Sequence, residues 1–350
     1  LGEVEAPARE GVAQAARGER RYQPRLEDAG APEWVEVDAR RLRVERVREF
    51  GGPWLGLQVF EKLGLGAFLR AVLAPGREEI EWATMAQVLI LGRLCNPSSE
   101  LALAERIYAR TALGDLLGVP LEKVNDDRLY RALDALLPHK GALERHLKQR
   151  LGELFALEYE LLLYDVTSTY FEGLAEGNAQ AQRGYSRDHR PDCAQVAWSK
   201  VEAWREWSAL SEGCYLLRSN IREWSASELW EAYMQLTQAE AAFRLHKQDL
   251  SLRPIWHQKA ERVQAHMLVC FLAYVLRKAL GQLCQRAGLG DEPRQVLEEL
   301  AQIRTVDVVL PTKAGPELRR RCVAEPTKHQ AILLQRLGLA LPKHLEMREV

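Results

Sequence analysis

The sequence lacks any pattern of paired cysteines. Its six cysteines are scattered along 350 residues, without a C-x-x-C pair and without the spacing of metal ligands. Disulfide frameworks and structural zinc sites normally show such patterns. We therefore expect reduced, mostly buried thiols in a cytoplasmic protein, and no His/Cys cluster in the sequence favours a zinc site.

Long hydrophobic runs are also missing. The longest apolar run, Met267 to Leu276, is about half as long as a membrane span requires, and no secretory signal is recognisable. The formal net charge is −1, with 47% hydrophobic and 28% charged residues, which is typical of a soluble globular chain. We expect a core helix at 267–276 and no membrane partner.

Two common catalytic motifs are absent. The sequence contains no G-x-x-x-x-G-K-[ST] phosphate loop, so an ATPase function has no support. It also contains no G-x-S-x-G nucleophile elbow, so a Ser/His/Asp hydrolase is not indicated.

Composition and periodicity divide the chain into four segments. Residues 1–33 are rich in Ala, Gly, Glu and Arg and are expected to form a mobile arm. Residues 34–157 begin with a predicted strand and a basic run at 40–48, interpreted as a solvated edge rather than a phosphate contact, and continue with a helical period. This segment is predicted to be a helical domain that either binds DNA or serves as a scaffold. Residues 158–287 and 288–350 follow as a core and a small C-terminal α/β extension.

Several helices and strands are predicted within these segments. In 34–157 and 288–350 they are helices at 55–69, 82–95, 98–110, 126–137, 141–157, 292–302 and 328–337, and strands at 34–38, 306–310 and 321–324. The arginines at 319–321 are interpreted as a solvated strand edge.

One short stretch carries an acidic residue after an apolar run. Residues 161–171 read as a β-strand, and three leucines before Asp165 suggest burial on both faces. A buried carboxylate is costly unless it is paired or binds a metal. Asp165 is therefore either a metal ligand or the cap of a turn at the end of the strand.

A second stretch places an acidic residue on a long helix. The pattern Ser225-x-x-Glu228 is a capping box that predicts the start of this helix. Tyr233, Glu240 and Lys247 recur every seven residues, which places them on one stripe about 10 Å apart. Glu240 is thus a candidate metal ligand, and the alternative is a buried ion pair with Arg244.

A carboxylate on a strand and another on a helix suit a two-metal phosphoryl-transfer site, because Mg²⁺ prefers oxygen ligands. Between Arg244 and Arg262 the chain also carries five Lys/Arg residues together with His246 and His257. Such a positive patch would suit a phosphodiester substrate.

Two groups of residues resemble a known family. Residues 164–173 (YDVTSTYFEG) and 183–188 (RGYSRD) are similar to the first-aspartate region of bacterial insertion-sequence transposases of the DDE type. The pattern Tyr233-x2-Leu236-x3-Glu240-x6-Lys247 resembles their Y-x2-R-x3-E-x6-K signature, with Leu236 in place of Arg. The resemblance covers about residues 160–276.

The resemblance implies a fold, a cofactor and a partner. The fold would be mixed α+β: a helical N-terminal domain, a ribonuclease-H-like α/β core and the C-terminal extension. The cofactor would be Mg²⁺ or Mn²⁺, bound as two ions in an intact site, with Asp165 and Glu240 as catalytic metal ligands. Tyr233, Lys247 and Arg244, the stand-in for the missing Arg, would contact DNA at the terminal inverted repeats of the element.

The middle aspartate of the family has no counterpart on a strand. The aspartates between Asp165 and Glu240 are Asp188 and Asp192, and both are in a polar loop. Asp165 and Glu240 are only 75 residues apart. A β-α-β crossover alone takes a dozen residues or more. We infer an internal deletion in a truncated core that binds at most one ion, is catalytically impaired and self-associates through unpaired strand edges. The alternatives are an inactive remnant that binds DNA or a partner, and a purely structural helical protein.

Overall fold

The chain folds as a mixed α+β structure with a helical core and a four-stranded antiparallel sheet. The computed structural model describes residues 21–22, 35–73, 75–156, 223–231, 233–234, 249–250, 252, 255–313, 315 and 317–345. This confirms the predicted α+β class. The predicted strand at 161–171 lies outside the described residues, so the ribonuclease-H-like core stays a prediction.

The described residues include nine α-helices of five or more residues. They are α1 (Gly51–Lys62), α2 (Leu65–Val72), α3 (Trp82–Cys95), α4 (Leu113–Leu117), α5 (Asp126–Leu136), α6 (Lys140–Phe155), α7 (Ala260–Arg286), α8 (Pro293–Ala301) and α9 (Lys328–Leu337). Between α3 and α4, one continuous turn region changes from α-helix at Glu100–Ala102 to π-helix at Leu103–Ile107 and 3₁₀-helix at Tyr108–Arg110.

Helix α3 lies at the centre of the core. Every residue from Met85 to Leu94 is buried, as expected for a helix with few polar residues on any side. Helices α1, α5 and α7 contact it. Helix α7, predicted as part of the catalytic segment, therefore shares one apolar core with the N-terminal helices. The predicted boundary at 157 falls at the edge of the described residues and stays a prediction.

Helix α7 is also the one described helix long and apolar enough to cross a membrane, with 56% of its apolar window buried. The core helix of a soluble protein meets the same criterion. Its residues Leu268, Leu272 and Leu276 belong to the same buried cluster as α3. This packing is that of the core helix predicted for residues 267–276.

Helix α1 starts against the end of α8. The backbone N–H groups of Phe50 and Gly51 both donate to the carbonyl of Ile303, at 3.1 and 3.0 Å. A Cβ atom at Gly51 would lie 1.9 Å from the carbonyl oxygen of Leu300. This close approach requires glycine, because no other residue leaves room for the two backbones.

The strands form two sheets. They are β1 (Arg21–Tyr22), β2 (Val35–Glu36), β3 (Arg43–Glu49), β4 (Arg304–Pro311), β5 (Glu317–Val323) and β6 (His344–Leu345). Strands β1 and β2 pair with each other, and the larger sheet has the order β3-β4-β5-β6. The register of β3 against β4 shifts between Glu45 and Arg48, which marks a β-bulge. Arg46 lies inside it with φ of 49°.

The prediction of a solvated edge at 319–321 is wrong for Arg321. Its guanidinium donates two hydrogen bonds to Asp307, at 2.6 and 2.9 Å, and contacts Asp115 on α4. Arg48 lies 2.9 Å from the same Asp115, so the basic run at 40–48 is also partly buried. Burial acts to raise the pKa of Asp307, but Arg321 outweighs it and the pKa is lowered. The charges of Arg48 and Arg321 are thus neutralised by acidic residues that lie on other strands and helices.

Candidate functional site at Glu100, His257 and His266

Three separate elements bring Glu100, His257 and His266 together in the core. Glu100 begins the helical region after α3, where the Ser99 hydroxyl accepts a hydrogen bond from the Ala102 N–H at 3.2 Å. His257 precedes α7, and His266 lies in its second turn. The exposed fractions are 4%, 9% and 4%. Polar residues at this depth need partners, because burying them unpaired is costly.

The Glu100 carboxylate is the centre of the cluster. His266 Nδ1 lies 3.0 Å from its Oε1, and His257 Nε2 lies 3.3 Å from its Oε2. The His257 contact lacks hydrogen-bond geometry, and among the described residues Nε2 is buried without a hydrogen-bond partner. The ring of His257 is instead held edge-on against Tyr130 and His266, at centroid distances of 5.5 and 5.3 Å.

Arg93 on α3 joins the cluster to the segment before α7. Its Nη2 donates to Glu100 Oε1 at 3.0 Å, and its Nη1 lies 3.4 Å from the carbonyl oxygen of Leu250. The Cys270 Sγ lies 3.8 Å from that carbonyl and 3.8 Å from His266 Nε2. The backbone carbonyl of Leu250 is therefore held to α3 and α7 by side chains next to the Glu100 carboxylate.

The surroundings favour charged forms of Glu100 and His266. Burial acts to raise the pKa of Glu100, but the contacts of His257 and His266 and the charge of Arg93 hold it well below its usual range. Burial acts to lower the pKa of His266, but hydrogen bonding with Cys270 and Glu100 raises it to about 9. Near neutral pH, Glu100 is thus an anion between two cations, Arg93 and His266.

The donor set of the cluster could hold a divalent metal ion. One ligand atom from each of Glu100, His257 and His266 lies within 4.8 Å of the others. Imidazole nitrogens with a carboxylate are ligands that zinc and similar transition metals accept. The cluster can therefore act as a buried ion-pair network or as a metal centre.

Sequence reasoning missed this site. The expectation that no His/Cys cluster exists rested on spacing, whereas Glu100 and His266 are 166 positions apart. One signal was present: His266 and Cys270 are four residues apart on an apolar helix, which places them on the same face. Only the packing of α3 against α7 shows that Arg93 and Glu100 complete the site.

The structure describes one of the predicted site residues. Tyr233 is helical and half-buried, and its ring lies 5.6 Å from that of Trp230. The capping box before it is confirmed, since the Ser225 N–H donates to Glu228 Oε2 at 2.6 Å. Asp165, Glu240, Arg244 and Lys247 lie outside the described residues, so their meeting at one site stays a prediction.

The predicted positive patch needs a correction at its described end. His257 is buried and faces Glu100. Arg262 is neutralised by two hydrogen bonds to Asp134, at 3.1 and 3.0 Å, and lies 5.2 Å from the centre of the Tyr130 ring. Neither side chain adds a cation to the surface, because each is turned to a partner in the N-terminal helices.

Fold and site together define an α+β chain with a buried Glu/His/His/Arg cluster in its helical core. Comparison with protein-family models, with curated proteins and with solved structures finds no match.

Proposed function

We propose that this chain derives from a transposase of a bacterial insertion sequence of the DDE type. It binds DNA at the terminal inverted repeats of its element and is impaired in metal-dependent strand cleavage and transfer. The observation that carries the proposal is the series of motifs at 164–173, 183–188 and 233–247. Their order and spacing resemble the family around its first aspartate and its glutamate.

The signature motif is followed closely in sequence by a well-packed residue. Leu250 follows Glu240 by ten residues and is fully buried in the apolar core. Arg93 and Cys270 contact its carbonyl oxygen. A catalytic helix needs such rigid support, because ligand geometry tolerates errors of only about 0.5 Å.

In the proposed site, Asp165 and Glu240 are the metal ligands and Tyr233, Arg244 and Lys247 contact DNA. Bound Mg²⁺ or Mn²⁺ would neutralise charge on the reacting phosphate. Without a second aspartate on a strand, we expect at most one ion to bind there, and loosely. The proposed compartment is the cytoplasm, and the proposed partners are DNA and a second copy of the chain.

Cleavage and binding can be tested on the same DNA. The substrate is a supercoiled plasmid that carries the ends of the element, incubated with the full chain and Mg²⁺ or Mn²⁺. We expect salt-dependent retention of the plasmid without nicking. Nicking that disappears in both Asp165→Ala and Glu240→Ala would contradict the predicted impairment, and absence of any retention would contradict the DNA-binding proposal.

The phosphate contact of Lys247 has its own measurement. Loss of one contact should weaken DNA binding and reduce the slope of log affinity against log salt by about 1. The matched control is Lys313→Ala, which removes an exposed lysine far from the signature helix in sequence. Equal slopes for Lys247→Ala, Lys313→Ala and the unmodified chain would remove Lys247 from the proposed interface.

Restoring the middle segment tests the cause of the impairment. We expect a chain that carries a full-length middle segment from an intact copy to nick the plasmid, because it regains the second aspartate. If it binds DNA and still does not nick, the lesion lies elsewhere, with Leu236 as the first position to examine.

The second candidate is an inactive remnant that binds DNA or a partner only. The missing second aspartate favours it. Retention of DNA without nicking, unchanged after both the middle segment and an arginine at position 236 (Leu236→Arg) are restored, would select this candidate.

A further inference from the structure

We propose that Glu100, His257 and His266 bind one transition-metal ion of the zinc class, which clamps the segment before α7 to the N-terminal helices. The inference does not depend on the transposase proposal, because none of the three residues belongs to the signature motifs.

The first argument is geometric. The three ligand atoms lie within 4.8 Å of one another, and the two closest nitrogen–oxygen distances are 3.0 and 3.3 Å. Two ligand atoms bound to one zinc ion at about 2.0–2.2 Å lie at most about 4.4 Å apart. Both nitrogen–oxygen distances already meet this limit, and any pair that lies near 4.8 Å has to move closer when the ion binds.

The second argument is the free ring nitrogen of His257. Its Nε2 is buried, points towards Glu100 and makes no hydrogen bond of good geometry within the described residues. Leaving a buried polar atom unsatisfied is destabilising, because the atom loses its bonds to water without gaining others. A metal ion between Nε2 and Glu100 Oε2 would satisfy both atoms at once.

The ligand types select the class of ion. Two imidazole nitrogens and one carboxylate suit Zn²⁺, Co²⁺ or Ni²⁺, whereas Mg²⁺ prefers oxygen ligands and several waters. The site therefore differs in chemistry from the proposed carboxylate site at Asp165 and Glu240, and the two respond to different ions.

Arg93 limits the affinity and fixes the carboxylate. Its guanidinium already donates to Glu100 Oε1, so Oε2 is the oxygen left to face the ion and His257. A carboxylate ligand held by a hydrogen bond is the usual outer-shell arrangement of metal sites. The arginine also places a positive charge close to the ion, which lowers the affinity and makes binding dependent on the buried carboxylate. Binding in addition displaces the proton of His266 to solvent, because a ligand nitrogen must be deprotonated, so the affinity rises with pH.

The clamp joins three parts of the chain. Glu100 follows α3, His257 lies in the segment just before α7, and His266 lies on α7. An ion bound to all three holds His257 and the start of α7 against the region that follows α3. It acts as a structural ion, since the site is buried.

The test uses the full chain stripped of metal with EDTA and then desalted. Zn²⁺ is then added, and the excess is removed by a second desalting. We expect one Zn²⁺ to stay bound per chain. At saturating Zn²⁺ the midpoint of thermal unfolding should rise by roughly 5 °C. Co²⁺ should give visible absorption bands that Zn²⁺ abolishes, and Mg²⁺ should give neither effect.

Variants locate the ion. His257→Gln should lower Zn²⁺ affinity by at least about tenfold to hundredfold, the loss seen when only an outer-shell partner is removed. The matched control is His146→Gln, since His146 is partly buried and bonded to the Leu63 carbonyl at 2.9 Å, outside the cluster. Glu240→Gln should retain the ion, because Glu240 is a ligand of the other proposed site.

Several results would overturn the proposal. They are no retained Zn²⁺, equal affinity of His257→Gln and the unmodified chain, or loss of the ion in Glu240→Gln. If His257→Gln does not fold, the Co²⁺ spectrum of the unmodified chain decides: one bound ion with the strong bands of a low-coordinate site supports the proposal, and only the weak bands of octahedral Co²⁺ would remove it.

Discussion

Glu100 is a buried carboxylate with three cationic or ring-nitrogen side chains around it. It is 4% exposed and lies within hydrogen-bond distance of Arg93 and His266, with His257 at 3.3 Å. Breaking a buried ion pair by removing one partner leaves an uncompensated charge. The free energy of unfolding should therefore respond strongly to this one residue.

We predict that Glu100→Gln lowers the free energy of unfolding by about 3–5 kcal/mol, because Arg93 and His266 lose their anionic partner. Urea unfolding followed by circular dichroism measures the change. Glu153→Gln is the matched control, since Glu153 makes exposed bonds to Gln149 and Arg150 and should leave the midpoint unchanged. Similar midpoints for both variants would contradict the role given to Glu100.

The raised pKa of His266 predicts a pH dependence. The folded state keeps the His266 proton up to about pH 9, whereas the unfolded state loses it near pH 6.5. The contribution is thus fully present below pH 6.5 and is lost as pH rises towards 9, by an amount on the order of 3 kcal/mol. Unfolding with a chelator present should show the decline, and His266→Gln should flatten it. A stability that rises over this interval would refute the assignment.

At the scale of elements, α1 begins where its backbone packs closely against the backbone at the end of α8. We predict that Gly51→Ala destabilises the protein by at least about 1–3 kcal/mol, because the new methyl group meets the Leu300 carbonyl at 1.9 Å. Gly141→Ala is the matched control, since the nearest atom to its Cβ is the end of the Arg145 side chain at 3.8 Å. Gly141→Ala should stabilise α6 by about 0.5–1 kcal/mol. Thermal unfolding of both variants shows whether the signs are opposite.

Local signals in the sequence were enough to predict most described elements. The bounds of α3 and α9 agree with those predicted, because Pro97 follows one helix and Thr327 caps the other through its bond from the Gln330 N–H. The capping box at Ser225 was found for the same reason. Such signals depend on residues within one or two turns.

Long-range pairing could not be predicted in the same way. Arg321 was expected in solvent, yet it meets Asp115, 206 positions away. The Glu100 cluster depends on a comparable distance along the chain. A sequence read in order shows each charge beside its neighbours, whereas these charges are neutralised across the fold.

At the scale of the whole molecule, α7 ties the C-terminal part of the chain to the N-terminal helices. We predict that Leu272→Ala lowers the free energy of unfolding by about 2–5 kcal/mol. The hydrogen-exchange protection of α3 and α5 should fall by the same amount as that of α7. Met267→Ala on the same helix is the matched control, because Met267 is 43% exposed. Loss of protection confined to α7 would mean that the core unfolds in separate parts.

Strand β3 has consequences for the protein at high concentration. Within the part of the chain that the structure describes, it is an outer strand of its sheet, with Val44 and Val47 exposed, and such an edge can template another strand and start fibrous growth. The bulge at Arg46 interrupts the outer row of N–H and C=O groups after Glu45, and the end of the strand is bridged by Glu49 to Thr111. A second chain that docks along β3 meets a discontinuity within a few residues, so end-on polymerisation through this edge stops early.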